Sequence, residues 1–418
     1  MEGIKGADDA ESFVRCGLAR LEGVILLVAS TALAAALIPA RGTSGDTKIW
    51  LKWMSNFALF GLRTGYEANQ DNYPPFSGVI LYLSAMSGEQ LGLSSLQSLK
   101  LCLLFFLLLS SLVFWLWTRN ILATAALQIA MTLSSMGLSQ LDVMFAPPLL
   151  AALWALQKRR VCWFAVFYSI ACLIKWQPLL IAPFLALHLI RNKLLYNRPA
   201  AYLPPALVVG LAFFLGGHEI FRCFHLALQH PYLSGNALNL GWVLTYLLRV
   251  LAPQSWGGHE NNAAAYLISY DWRVHIFPQA LFLAAYFAVL VAFVRAERSF
   301  TNLVWYSLAG YLTYFFLNTG VHDNHLFIVV VLSAVLLALN RAYATSFCVW
   351  SFAANLNLFI FWGVDGGKPG ISTSMGITVI FALLNLILFC GTFASAVFSV
   401  LFLKTAGRGA PGTADGSG

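Results

Sequence analysis

Long uninterrupted apolar runs set the pattern of this chain. From Val24 almost to the C-terminus they recur at close to the length that carries an α-helix across ~30 Å of hydrocarbon. The pattern predicts twelve spanning helices, over roughly 23–40, 99–118, 120–138, 143–157, 161–176, 178–190, 201–216, 276–294, 302–318, 325–340, 343–362 and 373–403. Strands of a membrane barrel would alternate in polarity at every second residue, and runs such as Leu101 to Leu109 do not. The expected fold class is therefore all-α, a polytopic membrane helix bundle. Two further apolar stretches, 76–87 and 238–252, are short and broken by polar groups, which predicts surface or re-entrant helices.

Composition supports this picture. Of 418 residues, 59% are hydrophobic and 10% charged, against roughly a quarter charged in soluble domains. Too few charges remain to coat a water-facing surface, which excludes a soluble enzyme, a disordered chain and a nucleic-acid binder. The net charge of +8 resolves into small basic clusters between apolar runs, such as Lys158-Arg159-Arg160 and Arg191, Lys193 and Arg198. With the N-terminus inside and 76–87 and 238–252 not crossing, 15 of the 25 Lys and Arg fall on the inner side. That is the positive-inside pattern, which orients helices and needs no polyanionic partner.

Both termini are then cytoplasmic, and two large outer segments result, 41–98 and 217–275. Residues 1–406 read as a single integral-membrane domain, and the Gly/Ala-rich tail 407–418 as a disordered extension. No cleavable signal peptide and no inverted repeat is evident. The seven cysteines are scattered, without a Cys-x-x-Cys pair, and read as small buried thiols.

Polar groups at membrane depth must face a cavity or a partner, and four clusters stand out at the outer helix ends. Asp46, in Gly45-Asp46-Thr47-Lys48, fits either a helix N-cap or a general base whose pKa an apolar wall raises. Asp71-Asn72-Tyr73-Pro74-Pro75 fits a structural corner, with Arg63, Tyr66 and Glu67 nearby. Lys175, in Lys175-Trp176-Gln177-Pro178, fits an ion pair with Asp142 of Ser139-Gln140-Leu141-Asp142. Alternatively Lys175 faces a phosphate, while Gln140 and Asp142 bind sugar hydroxyls. His322-Asp323-Asn324-His325 offers two imidazoles and a carboxylate; without further spaced ligands, contact with a phosphate is more natural than zinc. The second outer segment adds Arg222, His230, Tyr232 and Asn236, suited to sugar binding or to the interfacial aromatic belt.

In order along the chain, these motifs resemble those of the GT-C superfamily of polyprenyl-phosphate-sugar-dependent glycosyltransferases. They are similar to the endoplasmic-reticulum glucosyltransferases of N-glycan precursor assembly and to bacterial proteins akin to GPI mannosyltransferase II. Gly45-Asp46 with Trp53-Met54 resembles the first-loop motif, and Tyr73-Pro74-Pro75 the Tyr-Pro-Pro after it. Ser139-Gln140-Leu141-Asp142 and Lys175-Trp176-Gln177-Pro178 resemble the Gly-Gln-Val-Asp and Lys-Pro-Gln types, and Val321-His322-Asp323 resembles Val-His-Glu. Two departures matter: Lys48 stands where many relatives carry a second acid, and Asn324 where Lys or Arg is usual.

The resemblance implies a GT-C-like fold and an inverting transfer of a hexose from a polyprenyl-phosphate donor to a glycan or lipid-linked acceptor on the extracytoplasmic face. Asp46 would be the catalytic base. Lys175, His322, His325, Gln140, Asp142, Tyr73 and Gln177 would hold the donor phosphate and sugar. Arg63, Asp71, Arg222, Tyr232, Asn236 and Asp323 would contact the acceptor or the loops. No metal or other cofactor is expected, and the partners are the lipid-linked donor, the acceptor and membrane lipids. The absence of an Asn-x-Ser/Thr site favours a bacterial inner membrane over the endoplasmic reticulum. A transporter or flippase for lipid-linked sugars, and a lipid-diphosphate polymerase or ligase, are the competing expectations.

Overall fold

A computed structural model describes residues 3–40, 46–69, 72–194, 202–257, 267–367, 369–371 and 374–406, with side chains described between 17 and 398. The helices are α1 (Gly3–Ala36), α2 (Thr47–Asn69), α3 (Pro75–Gln90), α4 (Ser95–Thr118), α5 (Ile121–Thr132), α6 (Ala146–Gln157), α7 (Val161–Ile174), α8 (Ala182–Arg191) and α9 (Leu203–Gly216). They continue as α10 (Glu219–Leu228), α11 (Leu240–Leu251), α12 (Pro253–Trp256), α13 (Trp272–Arg295), α14 (Phe300–Leu317), α15 (Phe327–Leu339), α16 (Ala344–Trp362) and α17 (Met375–Ala406). The described residues form no strand, so the all-α expectation holds. Asp71 and the tail 407–418 lie outside the described residues.

Five helices are long and apolar enough to cross a membrane, or six if α9 and α10, which meet at 95°, count as one bent span. Six shorter apolar helices accompany them. The bundle is centred on α14 and α15: every residue from Phe327 to Leu336 is buried, and α15 packs between α14, α16 and α5. The lipid-facing surface is instead carried by helices such as α1 and α13, whose exposed residues include Leu26, Val28, Leu283 and Phe287. Of the cysteines, Cys172 and Cys223 are buried as expected, but Cys348 and Cys390 are exposed on outward helix faces, where the bilayer supplies the apolar surroundings.

The segment 41–98 is far more helical than a loop. Residues Trp50, Trp53, Met54 and Phe57 are buried along one face of α2, at the spacing of an amphipathic helix. Lys48, Lys52 and Asn56 lie off that face, together with exposed apolar residues such as Ile49 and Leu59. Gly61, at φ +74°, breaks the helix axis where a side chain would be strained. The expected short helices are both present, as α3 and α11. Pro74 and Pro75 start α3, with Pro75 in the first turn where its missing N–H costs nothing.

Three helix pairs reverse direction over short breaks that fall at one end of the bundle. Residues 138–140 separate the π-turn Leu133–Gly137 that ends α5 from the tight turn Leu141–Phe145 that begins α6. Residues 175–176 separate α7 from the turn leading to α8, and 318–322 separate α14 from the turn leading to α15. A buried cation ties α1 to the same end: Lys100 Nζ donates to the carbonyls of Leu37 and Ala40, both at 2.9 Å, satisfying acceptors at the end of the helix.

Candidate active site

A cavity of about 450 Å³ opens where the reversals at 175–176 and 318–322 meet the starts of α2 and α3 and the end of α10. Its wall includes Asp46, Tyr73, Lys175, Gln177, Tyr232, His322 and His325. Seven of the residues singled out from the sequence, drawn from five distant segments, therefore surround one space.

Asp46 sits at the start of α2, its carbonyl accepting from the amides of Ile49 (2.8 Å) and Trp50 (3.1 Å). This is the capping position read from the sequence, but the carboxyl meets the Gln140 side chain and Asp46 lines the cavity. Burial raises its pKa above the ordinary carboxylate value; Lys175 and the Gln140 hydrogen bond oppose the rise, and the nearby Asp142 charge adds to it. A carboxylate held this way is a stronger base than one in water.

Behind the wall, Lys175 Nζ donates to Asp142 Oδ1 at 2.6 Å, with both side chains almost wholly buried. The expected ion pair therefore forms. Lys175 still borders the cavity, with its Nζ 5.3 Å from the centre of the Tyr73 ring. Asn324 Nδ2 donates to Gln140 Oε1 (3.2 Å) and to Asp142 Oδ2 (3.0 Å), joining the reversals at 138–140 and 318–322. Gln140 and Asp142 thus lie one layer behind the cavity surface. Asp323 is buried as well, accepting from the Trp362 indole N–H and from the Asn324 amide.

The imidazoles share the cavity with Trp50, Trp53 and Tyr73, whose ring centres lie 4.8 to 5.7 Å apart. His325 Nδ1 accepts from the His322 backbone N–H at 3.4 Å, which puts the ring proton on Nε2. Burial pushes His322 down to about 3, aided by the proximity of His230 and Lys175. His230 is lowered by burial too. His322 is therefore neutral at physiological pH, which narrows the expected phosphate contact for it to hydrogen bonding.

Main-chain bonds fix the outer segment against the histidine turn: Gly320 N donates to Tyr232 O, and Gly235 N to Val321 O, both at 2.8 Å. A Cβ on Gly235 would lie 2.6 Å from His322 Nδ1, so this close approach requires glycine. Asn236 adopts φ +58°, and its carbonyl accepts from Asn357 Nδ2; it supports this strap from outside the cavity lining. Arg63 pairs loosely with Glu67 at 3.8 Å on the surface, and Arg222 bonds Glu219; neither borders the cavity.

The sequence does not single out Trp50 and Tyr314 as site residues, although both line the cavity. Four buried polar atoms on this wall have no hydrogen-bond partner: Trp50 Nε1, Gln177 Nε2 and Oε1, and Asn324 Oδ1. Orphaned buried donors and acceptors are rare and costly, which points to a ligand that satisfies them. Among the described residues, no three His, Cys, Asp or Glu side chains converge as a metal site. Compared with known families and characterised proteins, the chain matches no family model and no characterised protein.

Proposed function

We propose that the protein is an inverting membrane glycosyltransferase that uses a polyprenyl-phosphate hexose and transfers the sugar to a glycan or lipid-linked acceptor. Supporting it is one observation above all: a basic carboxyl and a cation share a cavity wall with unpartnered amide and indole groups. A hexose presents alternating hydroxyl donors and acceptors that would satisfy Gln177, Asn324 and Trp50, while its C–H faces suit the ring cluster of Trp50, Trp53 and Tyr73. In this reading Asp46 takes the proton of the acceptor hydroxyl as oxygen attacks the anomeric carbon. The bond to the lipid phosphate breaks, and the departing phosphate keeps the electron pair. Lys175 stabilises that developing charge, and the N–H groups of His322 and His325 hydrogen-bond to it. Asp142 and Gln140 hold Lys175 and Asp46 in place from behind.

A second, almost wholly apolar cavity of about 910 Å³ supports a lipid-borne donor. It extends from Phe76, Ile174 and Leu215, next to the site, to Lys158 and Arg160 at the other end of the bundle. The proposal includes the twelve-span arrangement, with the shorter apolar helices crossing and both termini cytoplasmic, in a bacterial inner membrane. The decisive experiment supplies purified protein with polyprenyl-phosphate hexoses and candidate acceptors, and detects the product by mass spectrometry. Transfer is expected; no transfer from any monophosphate donor overturns the proposal in favour of carriage or of a diphosphate-using polymerase.

Two further outcomes are expected. Replacing Gln177 with leucine removes a buried amide whose two ends lack partners, so the thermal midpoint rises while donor KM increases about tenfold. A midpoint that falls would mean that the amide has a partner in the resting protein. Because Lys48 stands where a metal-bridging acid would, turnover is expected to be unchanged by a divalent-metal chelator; strict metal dependence would reveal a ligand set that this reading lacks.

A further inference from the structure

A second polar cavity, of about 620 Å³, opens beside the reaction cavity, and the transfer described above does not use it. It is lined by Lys48 and Lys52 of α2, by Asn69 at the end of that helix, and by Gln229 just after α10. Trp53, Asn72 and His230 belong to both cavities, so the two share a wall. Within that wall Asn72 Nδ2 and His230 Nε2 lie 3.3 Å apart, which ties the corner before α3 to the outer segment.

The sequence of α2 accounts for the placement. Lys48 and Lys52 are four residues apart, so they stand one turn from each other on the same side of the helix. Lys48 is two residues beyond Asp46, and the first turn of α2 therefore puts the carboxyl residue on one cavity and the cation on its neighbour. Among the described residues no carboxylate lines this second cavity, and none is paired with either lysine. Like charges at this spacing repel, and a bound anion removes that cost. In the twelve-span arrangement both lysines lie on the outer side, where orientation gives a cation no use.

Asn69 supplies a separate indication. Its Oδ1 accepts from Asn56 Nδ2 at 2.7 Å, but its Nδ2 is buried with no hydrogen-bond partner among the described residues. An orphaned buried donor beside two cations calls for a ligand with negative or hydroxyl oxygens. The position distinguishes which ligand. In an inverting displacement the attacking hydroxyl and the leaving phosphate occupy opposite faces of the sugar, so the acceptor needs space of its own next to Asp46. The apolar cavity assigned to the donor lipid shares no residue with this one.

We propose that this cavity binds the acceptor, and that the acceptor is a sugar carrying a negative group, phosphate or carboxylate, held by Lys48 and Lys52 with Asn69 Nδ2 donating to it. Naming the occupant as acceptor rests on the glycosyltransferase reading; the preference for an anionic sugar does not.

The test titrates the full-length protein, purified in a detergent without a sugar head group, with neutral methyl hexosides and with their 6-phosphate and uronate counterparts. Binding is read by calorimetry. At low salt the charged sugars are expected to bind the wild type about tenfold more tightly than their neutral parents. The double variant Lys48→Gln with Lys52→Gln loses that preference, whereas Lys48→Arg with Lys52→Arg keeps it. Asn69→Asp retains the bond from Asn56 but sets a carboxylate where the free donor stood, so it removes the preference as well. Equal binding of charged and neutral sugars by the wild type, or an undiminished preference in both the glutamine and the aspartate variants, overturns the site. Phosphatidylglycerol binding to the same lysines more tightly than any charged sugar overturns the acceptor assignment in favour of a lipid head group. With a polyprenyl-phosphate hexose supplied, the glutamine variant is expected to raise the KM of a charged acceptor about tenfold and to leave the donor KM in place; a rise confined to the donor KM also overturns the acceptor assignment. Charge preference in binding without transfer from any monophosphate donor removes the glycosyltransferase reading and leaves the anionic-sugar site standing.

Discussion

Asp46→Asn is expected to lower transfer by ~10²–10⁴-fold, the contribution of a positioned general base, while leaving the fold intact. Asparagine keeps the side-chain shape and can still meet Gln140, but it cannot take a proton. Stability should move in the opposite direction. Burial raises the Asp46 pKa, so the neutral carboxyl is the form the folded protein prefers. Its contribution to stability is present below the unfolded-state value and is lost as pH rises through the raised one. Wherever the side chain is ionised it is a net cost to the fold, and Asp46→Asn should hold or raise the thermal midpoint. The wild-type rate should also climb with pH through a midpoint above the ordinary carboxylate value of ~3.9. Equal transfer by wild type and variant, or a parallel loss of stability and rate, would remove the base assignment.

Lys175→Met is expected to destabilise the protein by ~3–5 kcal/mol, because it leaves the carboxylate of Asp142 buried without its cation. Asp142 has 0% side-chain exposure, and Lys175 lies 2.6 Å from it. Adding Asp142→Asn to that variant removes the uncompensated charge and should restore most of the loss, whereas activity stays low because no cation faces the departing phosphate. Unfolding in detergent checks the first statement and product formation the second. A loss below ~1 kcal/mol would mean that water reaches the pair; activity returning with the double change would mean that Lys175 serves only Asp142.

The sequence pattern located most helices because hydrocarbon thickness imposes an apolar length that local residues must meet. The run read as 99–118 became Ser95–Thr118, and the reversal at Lys175 lies where the run 161–176 ends. Helix α2 escaped because it does not have to cross: its mean hydropathy is diluted by Lys48, Lys52, Asn56, Arg63 and Glu67. The spacing of Trp50, Trp53, Met54 and Phe57 carried the signal that a search for apolar runs passes over.

In the site, charge was the legible part, since Asp46, Lys175 and the histidines are conspicuous among apolar neighbours. The layering was not. Whether Asp142 faces a ligand or backs Lys175 depends on how two helix reversals approach each other, and no local pattern encodes that. Arg63 and Arg222 are the opposite case: their carboxylate partners Glu67 and Glu219 lie only four and three residues away in the chain, a helical spacing that the sequence carries.

The three short reversals at 138–140, 175–176 and 318–322 make numbering along the chain as critical as chemistry. One residue inserted there would turn the following helix by about 100° about its axis and advance it about 1.5 Å. Gln140 and Asp142, Lys175 and Gln177, or His322 and Asn324 would then swing to different neighbours with no change in composition. Point substitution can therefore be absorbed at many places on this end of the bundle, whereas a single-codon insertion at these turns cannot.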